Sequence, residues 1–271
     1  MAAQKPIALN DRVAVITGST RGIGRTIAET FARAGAKIVV SSSKAEAVER
    51  ATSELRAQGW NCIGVPCDVT QLNQVQNLFE QARSKWGKVD IWVNNAAISG
   101  PYALSLEMPI QTWERVIQTN VLGTYYGCAT VIPHMVERRY GKIINMSGGG
   151  TTKAQRFLTA YSTSKAAVVR LTDGLARDYR DYRKFLAVNV LAPGIVPTDM
   201  TLAGEAIGKA AEALKVLPRV LRIWGTSADE AAQLALRMVS RETDGVSGKI
   251  YSVLPQHRIW FRLVQTAVGL R

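Results

Sequence analysis

Two side chains with complementary acid–base chemistry, Tyr161 and Lys165, lie four residues apart. In a helix that spacing places both side chains on one face. A free tyrosine has a pKa of about 10 and is a poor base at neutral pH, but a nearby ammonium group stabilises the phenolate and lowers that pKa. The pair therefore predicts a group that gives a proton to a developing alkoxide, or takes one in the reverse reaction.

A glycine-rich turn lies near the start of the chain, between a short apolar run and a stretch with helical spacing. Its residues are Gly18, Ser19, Thr20, Arg21, Gly22, Ile23 and Gly24. Glycines permit a tight turn and the close approach of a ligand, and the N-terminus of the following helix offers free N–H groups and a positive dipole end. In this strand–turn–helix context the turn predicts a site for the pyrophosphate of a dinucleotide.

Apolar runs alternate with stretches of helical spacing along the whole chain. The predicted strands are 12–17, 37–41, 61–67, 90–93, 142–146, 186–190 and 249–253, and the predicted helices are 25–34, 44–58, 71–86, 112–140 and 162–184. Such alternation implies a parallel sheet covered on both sides. We therefore expect an α/β fold: residues 1–253 as a single doubly wound Rossmann-like domain, with a seven-stranded parallel sheet and helices on both faces.

With these motifs in place, the sequence resembles the short-chain dehydrogenase/reductase family. The further matches follow in the family's order: Asp68-Val69, Asn94-Asn95-Ala96-Ala97, Asn120, the Tyr161–Lys165 pair, and Pro193-Gly194-Ile195-Val196-Pro197-Thr198. They extend the resemblance from about Val13 to Val253. Several motifs that match together in order are far more specific than any one of them.

The resemblance implies how a nicotinamide dinucleotide would be held. Besides the glycine turn, Tyr161 and Lys165, the implied positions are Asp68, Val69, Asn94, Ala96, Pro193, Gly194, Ile195, Val196 and Thr198. Asp68 and Val69 would hold the adenine ring, and Asn94 would line the adenosine side. The backbone of Ile195 or Val196 would bond the nicotinamide carboxamide, and Thr198 would contact the phosphates. Lys165 would also hold the nicotinamide ribose.

The end of the second strand indicates which nicotinamide is preferred. NAD-specific proteins carry an acidic residue there that bonds the ribose 2′-hydroxyl, whereas Ser42 takes that position here, followed by Ser43 and Lys44. A serine can donate a hydrogen bond to a 2′-phosphate, and Arg21 and Lys44 can supply positive charge. We expect NADP(H) to be preferred, with NAD(H) as the alternative.

The active-site serine of the family is the point of departure. Counting back from Tyr161, its usual position falls on Gly148, and Ser147 lies one residue earlier. We expect Ser147 to reach the substrate oxygen; the alternatives are that Thr151 or Thr152 substitutes, or that Tyr161 acts alone. Asn120 resembles the family's helix asparagine, which anchors a proton-relay water. A buried amide that bonds the backbone is a second interpretation, and both can hold together.

Composition and charge limit the other classes of function. The chain has 271 residues and a formal net charge of +13, but its basic residues are scattered and no nucleic-acid-binding motif accompanies them. Neither the three cysteines nor the two histidines offer metal-ligand spacing. No stretch reaches the roughly 20 apolar residues that span a bilayer. We therefore expect no metal, no nucleic acid partner and a cytoplasmic protein.

Residues 254–271 extend beyond the last predicted strand. Plotted as a helix, they place Arg258 and Arg262 on one face and Trp260, Leu263 and Val264 on the other. Packing on this domain or on another subunit is favoured over contact with an anionic membrane surface. The family resemblance implies a homodimer or homotetramer.

Taken together, these features predict an NADPH-dependent reductase of a small ketone or aldehyde, reversible as an alcohol dehydrogenase. Residues 98–108 and 199–224 are expected to frame the substrate. The alternative is a non-catalytic nicotinamide-binding protein that acts in sensing or interaction, because fold alone does not establish catalysis.

Overall fold

A computed structural model describes residues 7–202 and 204–254 of the chain. Seven strands form one sheet: β1 (Val13–Ile16), β2 (Lys37–Val40), β3 (Cys62–Gly64), β4 (Ile91–Asn94), β5 (Gly141–Met146), β6 (Leu186–Ala192) and β7 (Ile250–Ser252). Their order is β3-β2-β1-β4-β5-β6-β7, and all six pairings are parallel. The predicted fold class, a doubly wound α/β sheet, is confirmed.

Helices cover both faces of this sheet. They are α1 (Gly22–Arg33), α2 (Ala45–Ala57), α3 (Leu72–Trp86), α4 (Ile110–Ile117), α5 (Gly123–Glu137), α6 (Thr159–Asp178), α7 (Asp199–Leu202), α8 (Ala211–Lys215), α9 (Leu217–Trp224) and α10 (Ala228–Met238). None of the helices within the described ranges is long and apolar enough to cross a membrane.

Alternation along each strand supplies a core on either side of the sheet. In β1, Ala14 and Ile16 pack with α1, α2 and α10, whereas Val15 faces the core formed with α3 and α5. Trp92 of β4 is fully buried in that second core. Because both faces are covered, the strands are mostly apolar, and such apolar runs mark them in the sequence.

Three helix boundaries differ from the sequence prediction. Helix α1 begins at Gly22 instead of residue 25, so the last glycines of the turn belong to its first turn. The long helix predicted over 112–140 is α4 and α5 joined by a π-helical segment, Gln118–Leu122, and it ends at Glu137. Helix α6 begins at Thr159 and ends at Asp178, followed by a short 3₁₀ turn.

The topology itself creates a crevice. The chain leaves β1 in one direction, to β2 and β3, and returns on its other side at β4. Loops that follow two neighbouring strands therefore diverge at this point, where ligands of open α/β sheets bind. The proposed amphipathic extension, 254–271, lies almost wholly outside the described residues, and the domain boundary before it stays a prediction.

Candidate active site

A cleft of about 910 Å³ opens at the carboxyl ends of β1, β4, β5 and β6. Most of the predicted cofactor residues line it: Gly18, Thr20, Arg21, Gly22, Ile23, Gly24, Ser42, Ser43, Asp68, Val69, Ala96, Pro193, Gly194, Ile195, Val196 and Thr198. Tyr161, Lys165 and Ser147 line the same cleft. Residues more than a hundred positions apart in sequence are thus brought to one cavity.

The glycine turn has the geometry that an anionic group requires. Gly18 has φ of +63°, and a β-carbon there would lie 2.9 Å from Cα of Ala96, so only glycine fits. Arg21 precedes α1 in an extended conformation, and no side chain caps the helix. The first-turn N–H groups therefore face the cleft without a side-chain cap, as a bound pyrophosphate would need.

Two of the predicted cofactor residues support the cleft without lining it. Ser19 is fully buried, donates through Oγ to the carbonyl of Ile16 and accepts from the amide of Ser41. Asn94 is buried as well and donates through Nδ2 to Oδ1 of Asn145 at 2.8 Å. Their polar side-chain atoms thus bond to the protein, and the expectation that these residues contact the cofactor stays a prediction.

The neighbouring Asn95, which was quoted only as part of the motif, holds the glycine turn. Its Nδ2 donates to the carbonyls of Thr17 and Gly18, at 2.8 and 3.0 Å. This side chain also leaves no room for a β-carbon at Gly24. Its role could have been found from its place after β4, the strand next to β1.

The region expected to hold a 2′-phosphate contains hydroxyls but not every expected cation. Ser42 and Ser43 line the cleft, whereas Lys44 does not and instead precedes α2. Arg21 forms a 2.6 Å ion pair with Asp199, the first residue of α7. Both partners are largely exposed, so this pair exchanges readily with water and with other anions.

Tyr161 and Lys165 lie side by side in the first turns of α6, with Tyr161 half-buried and Lys165 buried. Lys165 is 3% exposed; its Nζ donates to the carbonyl of Met146 at 3.0 Å and lies 5.6 Å from the centre of the Tyr161 ring. Burial lowers the pKa of Lys165 to about 8. Burial, and then the neighbouring Tyr102, raise the pKa of Tyr161 to about 12.

This direction corrects the expectation that Lys165 lowers the pKa of Tyr161. Taking the phenolate out of water disfavours it more than the ammonium favours it. At neutral pH the phenol is therefore protonated and able to donate.

Asn120 lies in the π-helical segment and does not line the cleft. It is fully buried: Oδ1 accepts from the amide of Ile98, and Nδ2 donates to the carbonyl of Ile98 and to Oγ of Ser164, each at 2.9 Å. Ser164 in turn donates to the carbonyl of Tyr161 at 2.7 Å. Of the two interpretations, these contacts fit the buried amide, and they connect it to the backbone of Tyr161.

The missing serine leaves space that the tyrosine fills. A β-carbon built at Gly148 would lie 2.9 Å from Cζ of Tyr161 and closer still to its hydroxyl oxygen. Ser147 is 4% exposed, and its amide donates to the carbonyl of Leu191. Thr151 bonds the carbonyl of Gly148, and neither Thr151 nor Thr152 lines the cleft.

Both regions expected to frame the substrate reach the cleft, and backbone bonds join them. The amide of Tyr102 donates to the carbonyl of Glu205, and the amide of Ile207 donates to the carbonyl of Tyr102, both at 2.8 Å. Several lining residues were not singled out individually from the sequence, among them Tyr102, Arg115, Gln155 and Arg156. They lie on loops and a helix surface, where polar residues carry no periodic signal. No group of three metal-ligating side chains occurs in the described ranges.

Comparison with known proteins agrees with this geometry. The family model for short chain dehydrogenases matches residues 12–206. The chain is 34% identical over 245 residues to 7alpha-hydroxysteroid dehydrogenase of Escherichia coli, covering 90% of this chain and 93% of that protein. It is 31% identical over 242 residues to glucose 1-dehydrogenase 2 of Bacillus subtilis, covering 89% and 92%.

A solved structure shows the same likeness. The crystal structure of a gluconate 5-dehydrogenase from Burkholderia cenocepacia in complex with NADP and tartrate is 29% identical to this chain, with a TM-score of 0.80. The match covers 90% of this chain and 94% of that one.

Proposed function

This chain belongs to the short-chain dehydrogenase/reductase family, and from its site we propose that it reduces a small ketone or aldehyde with NADPH as the preferred cofactor. The chain is thereby an oxidoreductase of small molecules that uses a nicotinamide dinucleotide. The observation that carries the finer proposal is the protonated Tyr161 beside the buried Lys165, at the cleft that the glycine turn also lines.

The proposed mechanism assigns proton transfer to Tyr161. When bound, the nicotinamide supplies the hydride. The phenol of Tyr161 donates its proton to the oxygen on which negative charge develops. Lys165, held by the carbonyl of Met146, places a positive charge beside the phenol and stabilises the phenolate that remains. Because the pKa of Tyr161 lies at about 12, the protonated form needed for reduction predominates at neutral pH.

Two features support the preference for NADPH. Ser42 and Ser43 line the cleft where a carboxylate would repel a 2′-phosphate. Arg21 lines it as well, and its partner Asp199 is exposed enough to be exchanged for a phosphate. The related gluconate 5-dehydrogenase was crystallised with NADP. NADH stays the alternative cofactor.

The names of the relatives support the class of substrate. They describe dehydrogenases of glucose, of gluconate and of a hydroxysteroid. In each case the named reaction interconverts an alcohol and a carbonyl. We extend that chemistry, and none of those individual substrates, to this chain.

Absorbance of the reduced nicotinamide tests the proposal. NADPH consumption is followed with a panel of ketones, aldehydes and 3-oxoacyl thioesters, using Tyr161→Phe as the matched variant. Oxidation that disappears in Tyr161→Phe supports the reductase. Tight NADPH binding without oxidation by any panel member would favour the non-catalytic sensor, for which the absent serine at Gly148 is the structural argument.

We also propose that the protein acts as a homodimer or homotetramer in the cytoplasm. Its three cysteines are unpaired and buried, which suits a reducing compartment. Light scattering on the purified full-length protein measures the assembly, and a monomeric mass would contradict it.

A further inference from the structure

Gln155 is the second polar group at the reacting oxygen, we infer, and takes the place of the serine that this chain lacks; the inference rests on the proposed function. The cleft is polar at this point although Gly148 has no side chain. Reduction of a carbonyl builds negative charge on one oxygen, and a second donor beside Tyr161 stabilises that charge. The question is which side chain supplies it.

The Gln155 carboxamide lies beside Gly149. A β-carbon built at Gly149 would lie 2.6 Å from Nε2 and 2.8 Å from Oε1 of Gln155, so the amide rests directly on the Gly149 backbone. The hydroxyl of Tyr161 rests in the same way on Gly148. Consecutive Cα atoms are about 3.8 Å apart. Both side chains also line the cleft, so a phenol and an amide over adjacent glycines can both reach one substrate oxygen.

The side-chain amide of Gln155 is available to bind a substrate oxygen. Two carboxamide side chains line the cleft, and Asn95 already donates to the carbonyls of Thr17 and Gly18. For Gln155, the hydrogen bonds among the described contacts are made by its backbone: the amide donates to Oγ of Ser162 at 3.1 Å, and the carbonyl accepts from the amide of Leu158. Its side chain is exposed towards the cleft, with Nε2 able to donate and Oε1 able to accept.

The backbone around Gln155 is held in a strained conformation. The amide of Leu158 donates to the carbonyl of Gln155 at 3.1 Å, closing a turn in which Phe157 has φ of +68°. That left-handed conformation is unfavourable for a bulky residue and persists only where surrounding contacts enforce it. Phe157 is buried, and its carbonyl accepts from the amide of Ala103. The turn thus fixes the backbone position from which the Gln155 side chain extends.

Ser147 is the competing donor. Its amide continues the bonding of β5 to β6 through the carbonyl of Leu191. Ser147 lines the same cleft, so the Ser147→Ala variant separates its contribution from that of Gln155.

The test compares Gln155→Leu with Gln58→Leu, an exposed glutamine at the end of α2 that does not line the cleft. NADPH oxidation is measured with ethyl acetoacetate and with phenanthrenequinone, alongside NADPH affinity by fluorescence and the unfolding temperature. We expect Gln155→Leu to lower kcat by at least about tenfold, as for loss of one oxyanion donor. NADPH affinity, unfolding temperature and the Gln58→Leu variant should match the wild type.

Gln155→Glu adds a signature that a structural role would not produce. At neutral pH its carboxylate accepts only and repels the developing charge, so kcat falls further. As the pH drops towards about 4.3, the carboxyl gains a proton, donates again and restores part of the rate relative to wild type.

Wild-type kcat in Gln155→Leu would overturn the inference, as would a tenfold loss confined to Ser147→Ala. A loss in Gln155→Leu accompanied by an equal loss of NADPH affinity or a lower unfolding temperature would also overturn it. If the wild type oxidises NADPH with neither these probes nor the wider panel, the proposed function itself fails. That result is distinct, because it appears before any variant is compared.

Discussion

A protonated phenol packed against a glycine backbone defines the chemistry of the cleft. The hydroxyl of Tyr161 lies so close to Gly148 that no β-carbon fits between them. A side chain at position 148 would therefore act on the orientation of Tyr161 before it acted on any substrate. The residue at position 148 therefore helps to set the position of the Tyr161 ring.

Gly148→Ala tests that dependence. The added methyl group must displace the Tyr161 ring, whose Cζ would lie 2.9 Å from it. We expect kcat for carbonyl reduction to fall at least about tenfold, because small displacements of a reacting group are costly. NADPH affinity should be unchanged, and Gly174→Ala, on an open helix surface, is the matched control. Unchanged kcat in Gly148→Ala would contradict the packing.

The titration of Lys165 predicts the pH profile. Burial sets the pKa of Lys165 at about 8, so its ammonium form is complete below that pH and is lost above it. Tyr161 stays protonated throughout this range because its pKa is about 12. We expect kcat/KM for reduction to be level below about pH 8 and to decline above it.

Lys165→Arg supplies the control for that profile. Arginine remains charged at every accessible pH. Whatever its absolute rate, this variant should lose the decline above pH 8. A decline that persists in Lys165→Arg would assign the titration to another group.

The sequence predicted the roles of some individual residues better than those of others. Tyr161, Lys165 and the glycine turn carry a recognisable spacing, and all of them line the cleft. Ser19 and Asn94 were expected there too, but their polar atoms bond the protein, which depends on side-chain direction and not on residue type. Gln155 was missed because a lone glutamine in a loop has no pattern.

Among the elements, the glycine turn and α7 meet across the opening of the cleft. Arg21 belongs to the turn and Asp199 begins α7, and their ion pair joins segments on opposite sides of the cofactor site. A 2′-phosphate and Asp199 would therefore compete for one guanidinium group.

Asp199→Asn removes this competitor. We expect KM for NADPH to fall by about two- to fivefold, the range for an exposed ion pair, while KM for NADH stays constant. Arg21→Ala should change KM for NADPH in the opposite direction. Steady-state kinetics with both cofactors measures the effect, and an equal change for NADH would show that the pair acts on the fold instead.

The bounds of the helices and strands show what the sequence patterns predict and what they miss. The predicted strand ranges lie close to the observed ones, because strands buried on both faces appear as apolar runs in the sequence. The π-helical segment was not anticipated, since Gln118–Leu122 keeps the helical spacing while its backbone bonds shift around Asn120. Helix α10 was also missed, although Ser227 and Glu230 form a capping box at its start.

At the scale of the whole molecule, the cleft gathers distant parts of the chain. Its lining runs from Gly18 to Ala228 and draws on loops after six strands, β1 to β6. A ligand bound there contacts most of the domain at once, so binding is linked to global stability. The strand order that produces this arrangement is a long-range property: the sequence predicted a doubly wound, seven-stranded parallel sheet but not the order of its strands.

Thermal unfolding with and without cofactor measures that linkage. At a hundredfold excess over Kd, NADPH should add about 2.7 kcal/mol to the free energy of unfolding, or roughly 5–10 °C in Tm for a domain of this size. NADH should shift Tm less at the same concentration. Tyr161→Phe should keep the NADPH shift, and no shift with either cofactor would contradict the assignment of the cleft.

The glycine at position 148 also bears on how this chain can evolve. Serine and glycine codons can differ by a single base, so restoring the family's serine is a short mutational step. Yet Tyr161 now occupies the space that the restored side chain needs. The two positions are epistatic, since the effect of one change depends on the state of its neighbour. A Gly148→Ser change can thus be one base away in the gene, but its effect on activity is set by whether the Tyr161 ring can move aside.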